Sequence, residues 1–162
     1  VGVYYGIKGI CSLAESAAAG RNARSIAETI EGESSSVPRP TWRQSELDAV
    51  NDFPDYSTQK SFINGEEVPY GTSGSVRPDL YTNGSSIDIK NYNITTYSGR
   101  SNLVNNIQRQ YLQRLENLPT GTNQSILIDI RGQNVSDEVL ESLYNNIMRR
   151  TNNCVDIMFK TK

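Results

Sequence analysis

The spacing of apolar residues predicts alternating helices and strands from about residue 41 onward. Ser125 to Arg131 is a nearly continuous apolar run that ends at a glycine, which is typical of a strand buried on both faces. Residues 136–150 predict a helix, because Ser136 can cap its start and its terminal charges complement the helix dipole. A second helix is predicted from Asn102 to about Asn117 by a stripe of apolar residues at helical spacing, namely Leu103, Ile107, Tyr111, Leu115 and Leu118.

Capping and turn residues place the remaining elements. Thr41 to Gln44 has the form of a capping box and predicts a helix that ends near Asn51. Residues 60–70 predict a strand and its turn, and Asn83-Gly84 predicts a hairpin between two short strands. A last strand is predicted at residues 155–159. The order of helix, three strands, helix, strand, helix, strand predicts an α/β (α+β) fold with one central mixed β-sheet flanked by helices.

The first 36 residues differ in composition from the rest of the chain. They are rich in Ala, Gly and Ser, and their predicted helical pieces carry only a thin apolar stripe. Residues 32–40 have the composition of a linker. We therefore expect a helical entry segment with its linker at residues 1–36 and a folded domain at residues 37–162. The missing initiator Met indicates a fragment of a longer protein, and no segment is long enough to cross a membrane.

Composition narrows the chemistry available to this chain. It contains no histidine, which excludes His-metal nucleases, Ser-His-Asp and Cys-His hydrolases, and the usual zinc sites. Its two cysteines, Cys11 and Cys154, do not have metal-ligand spacing, and Cys154 is expected to be a small buried residue. A formal charge of −2 provides no global positive field for nucleic acid, although basic residues can act locally. Carboxylates, lysine, tyrosine and metal ions remain as catalysts.

Two aspartates and a lysine meet at the predicted hairpin. Asp88 and Lys90 point to the same side of their strand, while Ile87 and Ile89 point to the core. The neighbouring strand carries Asp79 to the same rim of the sheet. Neighbouring carboxylates repel one another unless a cation lies between them, and their hard oxygens suit Mg²⁺ or Mn²⁺. The pattern therefore predicts a divalent-cation site with a lysine that can orient a water or stabilise a charged transition state.

Pro78-Asp79, followed after eight intervening residues by Asp88-Ile89-Lys90, resembles the signature of the PD-(D/E)XK, or restriction-endonuclease-like, nuclease superfamily. The resemblance covers residues 41–162 and implies an α-β-β-β-α-β core, here extended by a terminal helix and strand. It implies that Asp79 and Asp88 bind Mg²⁺, with Mn²⁺ or Zn²⁺ as alternatives, and that the carbonyl of Ile89 adds a ligand. It further implies metal-assisted phosphodiester hydrolysis in which Lys90 positions the nucleophile or stabilises the transition state.

The same resemblance implies further site positions. A helix ahead of the sheet often supplies another acidic ligand, and Glu46 matches that position, while Glu66 and Glu67, which flank the next strand, compete for the role, with Glu67 as the main alternative. A solvent-facing charge is the other interpretation of Glu46. The helix after the lysine strand often carries a glutamine or a basic residue facing the site, and Gln108 and Arg109 both remain open for it. Nucleic-acid contacts are expected from basic residues near the site: Arg77, Arg100, Arg109 and Arg114.

The chain also resembles the C-terminal toxin domains of bacterial polymorphic toxins of the contact-dependent inhibition type. That resemblance implies delivery from a secreted or cell-surface protein into the cytoplasm of a target bacterium, and neutralisation by a cognate immunity protein. The expected substrate is DNA, slightly favoured over tRNA, because complete metal-binding motifs of this kind most often belong to DNases. The alternative is a non-catalytic nucleic-acid-binding or assembly domain, in which Asp88 and Lys90 form an ordinary surface pair beside Asp79.

Overall fold

A computed structural model describes residues 4–7 and 38–162 of the chain. Their helices are α1 (Trp42–Asp52), α2 (Tyr97–Asn117) and α3 (Asp137–Arg150). Their strands are β1 (Tyr4–Ile7), β2 (Ser61–Ile63), β3 (Glu66–Val68), β4 (Leu80–Thr82), β5 (Ser85–Lys90), β6 (Asn123–Asp129) and β7 (Val155–Lys160). No helix within these ranges combines the length and the apolar character needed to cross a membrane.

The centre of the fold is a mixed sheet of four strands, β4 to β7, with β1 added at one edge. The strand order is β1-β7-β6-β5-β4, in which β5, β6 and β7 are parallel and both edge strands are antiparallel to their neighbours. Helices α2 and α3 pack on one face against Ile126, Ile128, Ile157 and Phe159. Helix α1 packs on the other face, where Ala49 meets Ile87 and Leu127. This arrangement confirms the predicted α/β fold with one central sheet flanked by helices.

The predicted run of three strands is wrong in one respect. Residues 60–70 form two strands, β2 and β3, which pair with each other as a two-stranded sheet separate from the central one, and Phe62 of β2 also forms an isolated antiparallel bridge with Val76. Asn64 and Gly65 both have positive φ, so the chain reverses within two residues and keeps each strand short. Phe62 then packs with Val76 and Leu118, beyond the end of α2. Only β4 and β5 precede α2 in the central sheet.

Helix α2 begins five residues earlier than predicted, at Tyr97. Thr96 caps the helix, because its hydroxyl accepts a hydrogen bond from the N–H of Gly99 at 3.1 Å. Gly99 is a packing residue and does not mark a loop, since a Cβ built there would lie 1.7 Å from the carbonyl oxygen of Asn93. The predicted apolar stripe is also wrong at Leu115, which is 58 % exposed, while Arg114 is buried in the sheet interface.

Four residues of the predicted entry segment belong to the sheet. Strand β1 pairs antiparallel with β7, with Tyr4 opposite Lys160 and Ile7 opposite Ile157. The helices predicted between residues 13 and 30, most of the linker, and Cys11 lie outside the described residues. Cys154, in the turn before β7, is partly buried against the core that α2 and α3 share with the sheet.

Candidate active site

The face of β5 toward α2 carries a row of buried polar residues. Ser86, Asp88 and Lys90 are 0 %, 1 % and 6 % exposed, and they alternate with Ile87 and Ile89, which face α1. The sequence correctly predicts this alternation, but both faces of β5 are covered. Asp88 and Lys90 therefore lie in the interior and do not form the solvent-exposed pair of the alternative interpretation.

Helix α2 covers this row with polar residues spaced four apart: Asn106, Gln110 and Arg114. The ammonium of Lys90 donates to Asn106 Oδ1 at 2.7 Å and to Gln110 Oε1. Burial lowers the pKa of Lys90, although the neighbouring carboxylates of Asp88 and Asp79 act in the opposite direction. The two amides thus fix a buried ammonium that holds its proton less firmly than an exposed lysine does.

Asp88 forms a buried ion pair with Arg114. Arg114 Nη2 donates to Asp88 Oδ1 at 2.7 Å, and Arg114 Nε lies 2.7 Å from Asp88 Oδ2. The side chains of the two residues are 2 % and 7 % exposed. The contact between Nε and Oδ2 lacks hydrogen-bond geometry, so Asp88 Oδ2 is a buried acceptor without a hydrogen-bond partner among the described residues. The positive guanidinium nevertheless lies against both carboxylate oxygens and disfavours a cation at Asp88 in this arrangement.

Asp79 lies where the pairing of β4 with β5 ends, directly after the buried Pro78. Beyond the last pair of these strands, Leu80 with Ile87, the backbone N–H of Ile89 donates to Asp79 Oδ2 at 2.8 Å, so the side chain of Asp79 is its acceptor. Burial, followed by the neighbouring Asp88 carboxylate, raises the pKa of Asp79 to about 6, and Glu46 adds to the effect. At neutral pH this carboxyl group is largely ionised although burial disfavours its charge. A nearby cation therefore stabilises it more than it stabilises an exposed carboxylate.

Asp79 opens into a cleft of about 390 Å³ between α1 and the start of β4, here called the Asp79 cleft. Glu46 of α1 and Ile89 of β5 also line it. The competing residue, Glu67, instead forms an exposed ion pair with Lys60 at 2.8 Å. The structure therefore brings Glu46, and not Glu67, into the cleft with Asp79. The remaining residues of its wall are Trp42, Val50, Thr58, Gln59, Tyr70, Arg77, Pro78 and Leu80.

A second polar network holds α1 against the carboxyl ends of the strands. Ser45 donates to Asp129 Oδ2 at 2.7 Å, and Arg131 pairs with Asp129 at 2.7 Å and with Asp48 at 2.8 Å. Lys160 of β7 pairs with Asp52 at 2.7 Å. Sequence reasoning missed these residues, although the charged Asp129 within the apolar run of β6 was a usable signal. The network fixes the helix that carries Glu46.

The basic residues predicted to contact nucleic acid are dispersed in the structure. Arg77 lines the Asp79 cleft, whereas Arg100 donates to the Ile94 carbonyl at 2.9 Å beside the α2–α3 groove. Gln108 accepts from Arg150 of α3 at 3.0 Å, and Arg109 is exposed on α2. We expected Gln108 or Arg109 to face the site, but the α2 side chains that the structure bonds to Lys90 are Asn106 and Gln110. Asn106, Gln110 and Arg114 recur every four residues along α2, but this spacing becomes informative only once the packing shows that Arg114 is buried.

A divalent cation fits this site only in part. Among residues 4–7 and 38–162, no three side chains from His, Cys, Asp and Glu are grouped so that they could hold a metal. Glu46 and Asp79 face one cleft, and Mg²⁺ commonly binds through one or two carboxylates while keeping several waters. These two residues therefore fit a hydrated cation, and Asp88 does not fit while it is paired with Arg114.

No family model matches the chain, and no curated protein or solved structure matches it either. A sheet with flanking helices supports many unrelated activities, so the fold alone does not identify one. The chemistry of the Asp79 cleft and of the buried β5 row therefore carries the functional inference.

Proposed function

We propose that this chain is a metal-dependent nuclease that hydrolyses phosphodiester bonds, with DNA slightly favoured over tRNA as substrate. The observation that carries the proposal is the position of Asp79. Its carboxyl group has a raised pKa, shares a cleft with Glu46 and is electrostatically coupled to Asp88 and Lys90. A perturbed acid in a cleft beside charged partners is a typical candidate for catalysis.

A bound divalent cation would supply positive charge at the scissile phosphate and a more acidic water. Asp79 and Glu46 are the residues that would hold it, and the Ile89 carbonyl is the proposed additional ligand. Lys90 lies on the α2 face of β5 and does not line the cleft, so in this proposal its ammonium, held by Asn106 and Gln110, stabilises the charge that develops on the phosphate through its electric field and not by contact. Asp88 becomes available as a ligand only where Arg114 releases it.

The biological setting of the proposal is interbacterial competition. The nuclease would be delivered as part of a larger secreted or cell-surface toxin and act in the cytoplasm of the target cell. A cognate immunity protein would neutralise it, and an acidic group on such an inhibitor would fit Arg77 in the wall of the Asp79 cleft. This setting is supported by the resemblance of the sequence to polymorphic toxin domains.

A second candidate, a non-catalytic nucleic-acid-binding or assembly domain, is favoured by the Asp88–Arg114 pair. A buried carboxylate that accepts two contacts from an arginine is also what a purely structural ion pair shows. In this candidate the polar row of β5 fastens α2 to the sheet, and the Asp79 cleft binds a partner without hydrolysing it.

A cleavage assay on the whole chain separates the two candidates. Plasmid DNA and total tRNA are each incubated with Mg²⁺, Mn²⁺, Zn²⁺ or EDTA. Asp79→Asn is the test variant because it keeps the side-chain shape, whereas changing Asp88 leaves Arg114 buried without its partner. Glu66→Gln, at an exposed position of β3, is the matched control.

We expect metal-dependent cleavage that falls about 100-fold to 1,000-fold in Asp79→Asn and is unchanged in Glu66→Gln. Full activity in Asp79→Asn would contradict the proposal. Absence of cleavage with every metal would favour the binding domain, and calorimetric titration with Mg²⁺ and Mn²⁺ then tests whether the cleft binds a cation at all.

A further inference from the structure

Two large aromatic side chains stand exposed on the wall of the Asp79 cleft. Trp42 at the start of α1 is 57 % exposed, and Tyr70 in the loop after β3 is 58 % exposed. Both line the same cleft as Asp79 and Glu46. Exposed aromatic rings grouped at a cleft indicate a binding surface, whereas single exposed apolar residues need no explanation.

Each ring has an arginine stacked on it. The Arg77 guanidinium lies 4.7 Å from the centre of the Tyr70 ring, and the Arg43 guanidinium lies 5.2 Å from the centre of the Trp42 ring. Both rings stay more than half exposed despite these contacts. An aromatic face joined to a positive charge offers stacking to a nucleobase and attraction to the adjoining phosphate.

The same groups favour a nucleobase over other ligands. The polar wall formed by Thr58, Gln59 and Arg77 disfavours a lipid, and an acidic peptide has no base to stack on the two rings. Bases within a duplex are stacked on one another and cannot reach an aromatic side chain, whereas unpaired bases can.

We propose that the Asp79 cleft binds single-stranded nucleic acid, with unpaired bases stacked on Trp42 and Tyr70 and a phosphate paired with Arg77. This inference rests on the proposed nuclease function and names its substrate class: strands, loops or ends without base pairing, in preference to intact duplex. It also assigns a role to two aromatic residues that the sequence motif does not include.

Trp42 makes a direct test possible, because it is the only tryptophan in the 162-residue chain. The whole chain is titrated with single-stranded DNA and RNA oligonucleotides of about eight nucleotides, and with the same sequences annealed to their complements. The titrations are run in EDTA at one fixed salt concentration, since binding to nucleic acid depends strongly on salt. They are repeated with Asp79→Asn in Mg²⁺, where cleavage is suppressed.

We expect single strands to quench Trp42 fluorescence and to bind at least about tenfold more tightly than the duplexes. Tyr70→Ala should weaken binding by about 5-fold to 100-fold, the usual effect of removing one stacking platform. Tyr97→Ala is the matched control, because Tyr97 is 80 % exposed but lies in the separate groove between α2 and α3. Trp42→Phe keeps a ring for stacking but lacks the only tryptophan of the chain. Oligonucleotide binding to this variant is therefore followed by the anisotropy of a labelled oligonucleotide.

Duplex binding equal to single-strand binding would overturn the inference, and so would equal affinities in Tyr70→Ala and Tyr97→Ala. Because the titration in EDTA needs no catalysis, the proposed nuclease function and the proposed single-strand binding can be refuted independently. A chain that binds single strands without cutting them keeps this inference and removes the nuclease. A chain that cuts plasmid with full metal dependence, yet leaves Trp42 fluorescence unchanged by oligonucleotides, keeps the nuclease and removes this inference.

Discussion

Asp88 of β5 and Arg114 of α2 form a buried ion pair with two contacts of 2.7 Å. Removing both charges from water costs several kcal/mol per ion, and that cost is offset only while the two side chains stay together. The pair therefore fastens α2 to the sheet. Asp88 is also unavailable to a metal ion while Arg114 lies against its carboxylate.

Arg114→Met should lower the free energy of unfolding by about 3–5 kcal/mol, because it leaves the Asp88 carboxylate buried without its partner. The measurement is urea unfolding followed by circular dichroism. Arg109→Met, an exposed position on the same helix, is the control and should stay within about 0.5 kcal/mol of the unmodified chain. A loss below about 1 kcal/mol in Arg114→Met would show that the pair does not lock the interface.

Divalent cations should stabilise Arg114→Met if Asp88 is a potential metal ligand. Added Mg²⁺ or Mn²⁺ at about 100 times its dissociation constant would raise the free energy of unfolding by about 2.7 kcal/mol. The double variant Asp88→Leu with Arg114→Met lacks the carboxylate and should show a smaller rise. Equal responses of the two variants would restrict cation binding to Glu46 and Asp79.

Local patterns in the sequence predicted the fold well where a few neighbouring residues determine the structure. Thr41 caps α1 by accepting the N–H of Gln44 at 3.2 Å, and Gly84 has the positive φ required by the β4–β5 turn. The apolar run of β6 is the buried central strand that it predicts.

Predictions failed where a distant contact decides the structure. Arg114 is buried and Leu115 is exposed because Asp88, 26 positions earlier in the chain, requires a cation in the interface. The start of α2 depends on how closely Gly99 approaches the Asn93 backbone, which no periodicity reveals. For the candidate site, sequence spacing predicted that Asp79, Asp88 and Lys90 lie near one another, as they do in the structure, but the partners of Asp88 and Lys90 on α2 became evident only from the packing.

The stability of the metal-free protein should fall as pH rises from about 4 to about 6. The folded-state pKa of Asp79 is raised to about 6 from its ordinary 3.8, so within this interval the folded chain binds the proton more tightly than the unfolded chain. Below about pH 4 Asp79 is protonated in both the folded and the unfolded chain. Above about pH 6 it is ionised in both, and the folded chain carries the full cost of that buried charge, about 1–3 kcal/mol. Urea unfolding in EDTA at each pH measures this change in the free energy of unfolding. Asp79→Asn should lack this contribution, and an identical pH profile in that variant would assign the effect to other groups.

Lys90→Met should abolish most of the proposed cleavage, with a loss of about 100-fold to 1,000-fold. It should also cost about 1–3 kcal/mol of stability, because the oxygens of Asn106 and Gln110 lose their donor. Lys60→Met is the control, since Lys60 forms an exposed pair with Glu67 worth about 0–1 kcal/mol. Cleavage is measured well below the melting temperature of each variant. Near-full activity in Lys90→Met would remove Lys90 from the mechanism.

Arg131→Met should loosen α1, although Arg131 itself does not line the Asp79 cleft. Its guanidinium joins Asp48 of α1 to the buried Asp129 of β6, so its loss should increase amide hydrogen exchange in residues 42–52. Arg149→Met, at an exposed position of α3, is the control. Unchanged exchange in α1 would show that Ser45 and Ala49 suffice to hold the helix.

Strand β1 protects the edge of the sheet formed by β7. Because β1 pairs along residues 157–160, the backbone donors and acceptors on that side of β7 are already satisfied. A truncation that begins at residue 37 removes this cover and leaves a hydrogen-bonding edge that another chain can extend. Such a truncated protein is expected to self-associate through β7, so its aggregation would report the missing strand and not a failure of the remaining fold.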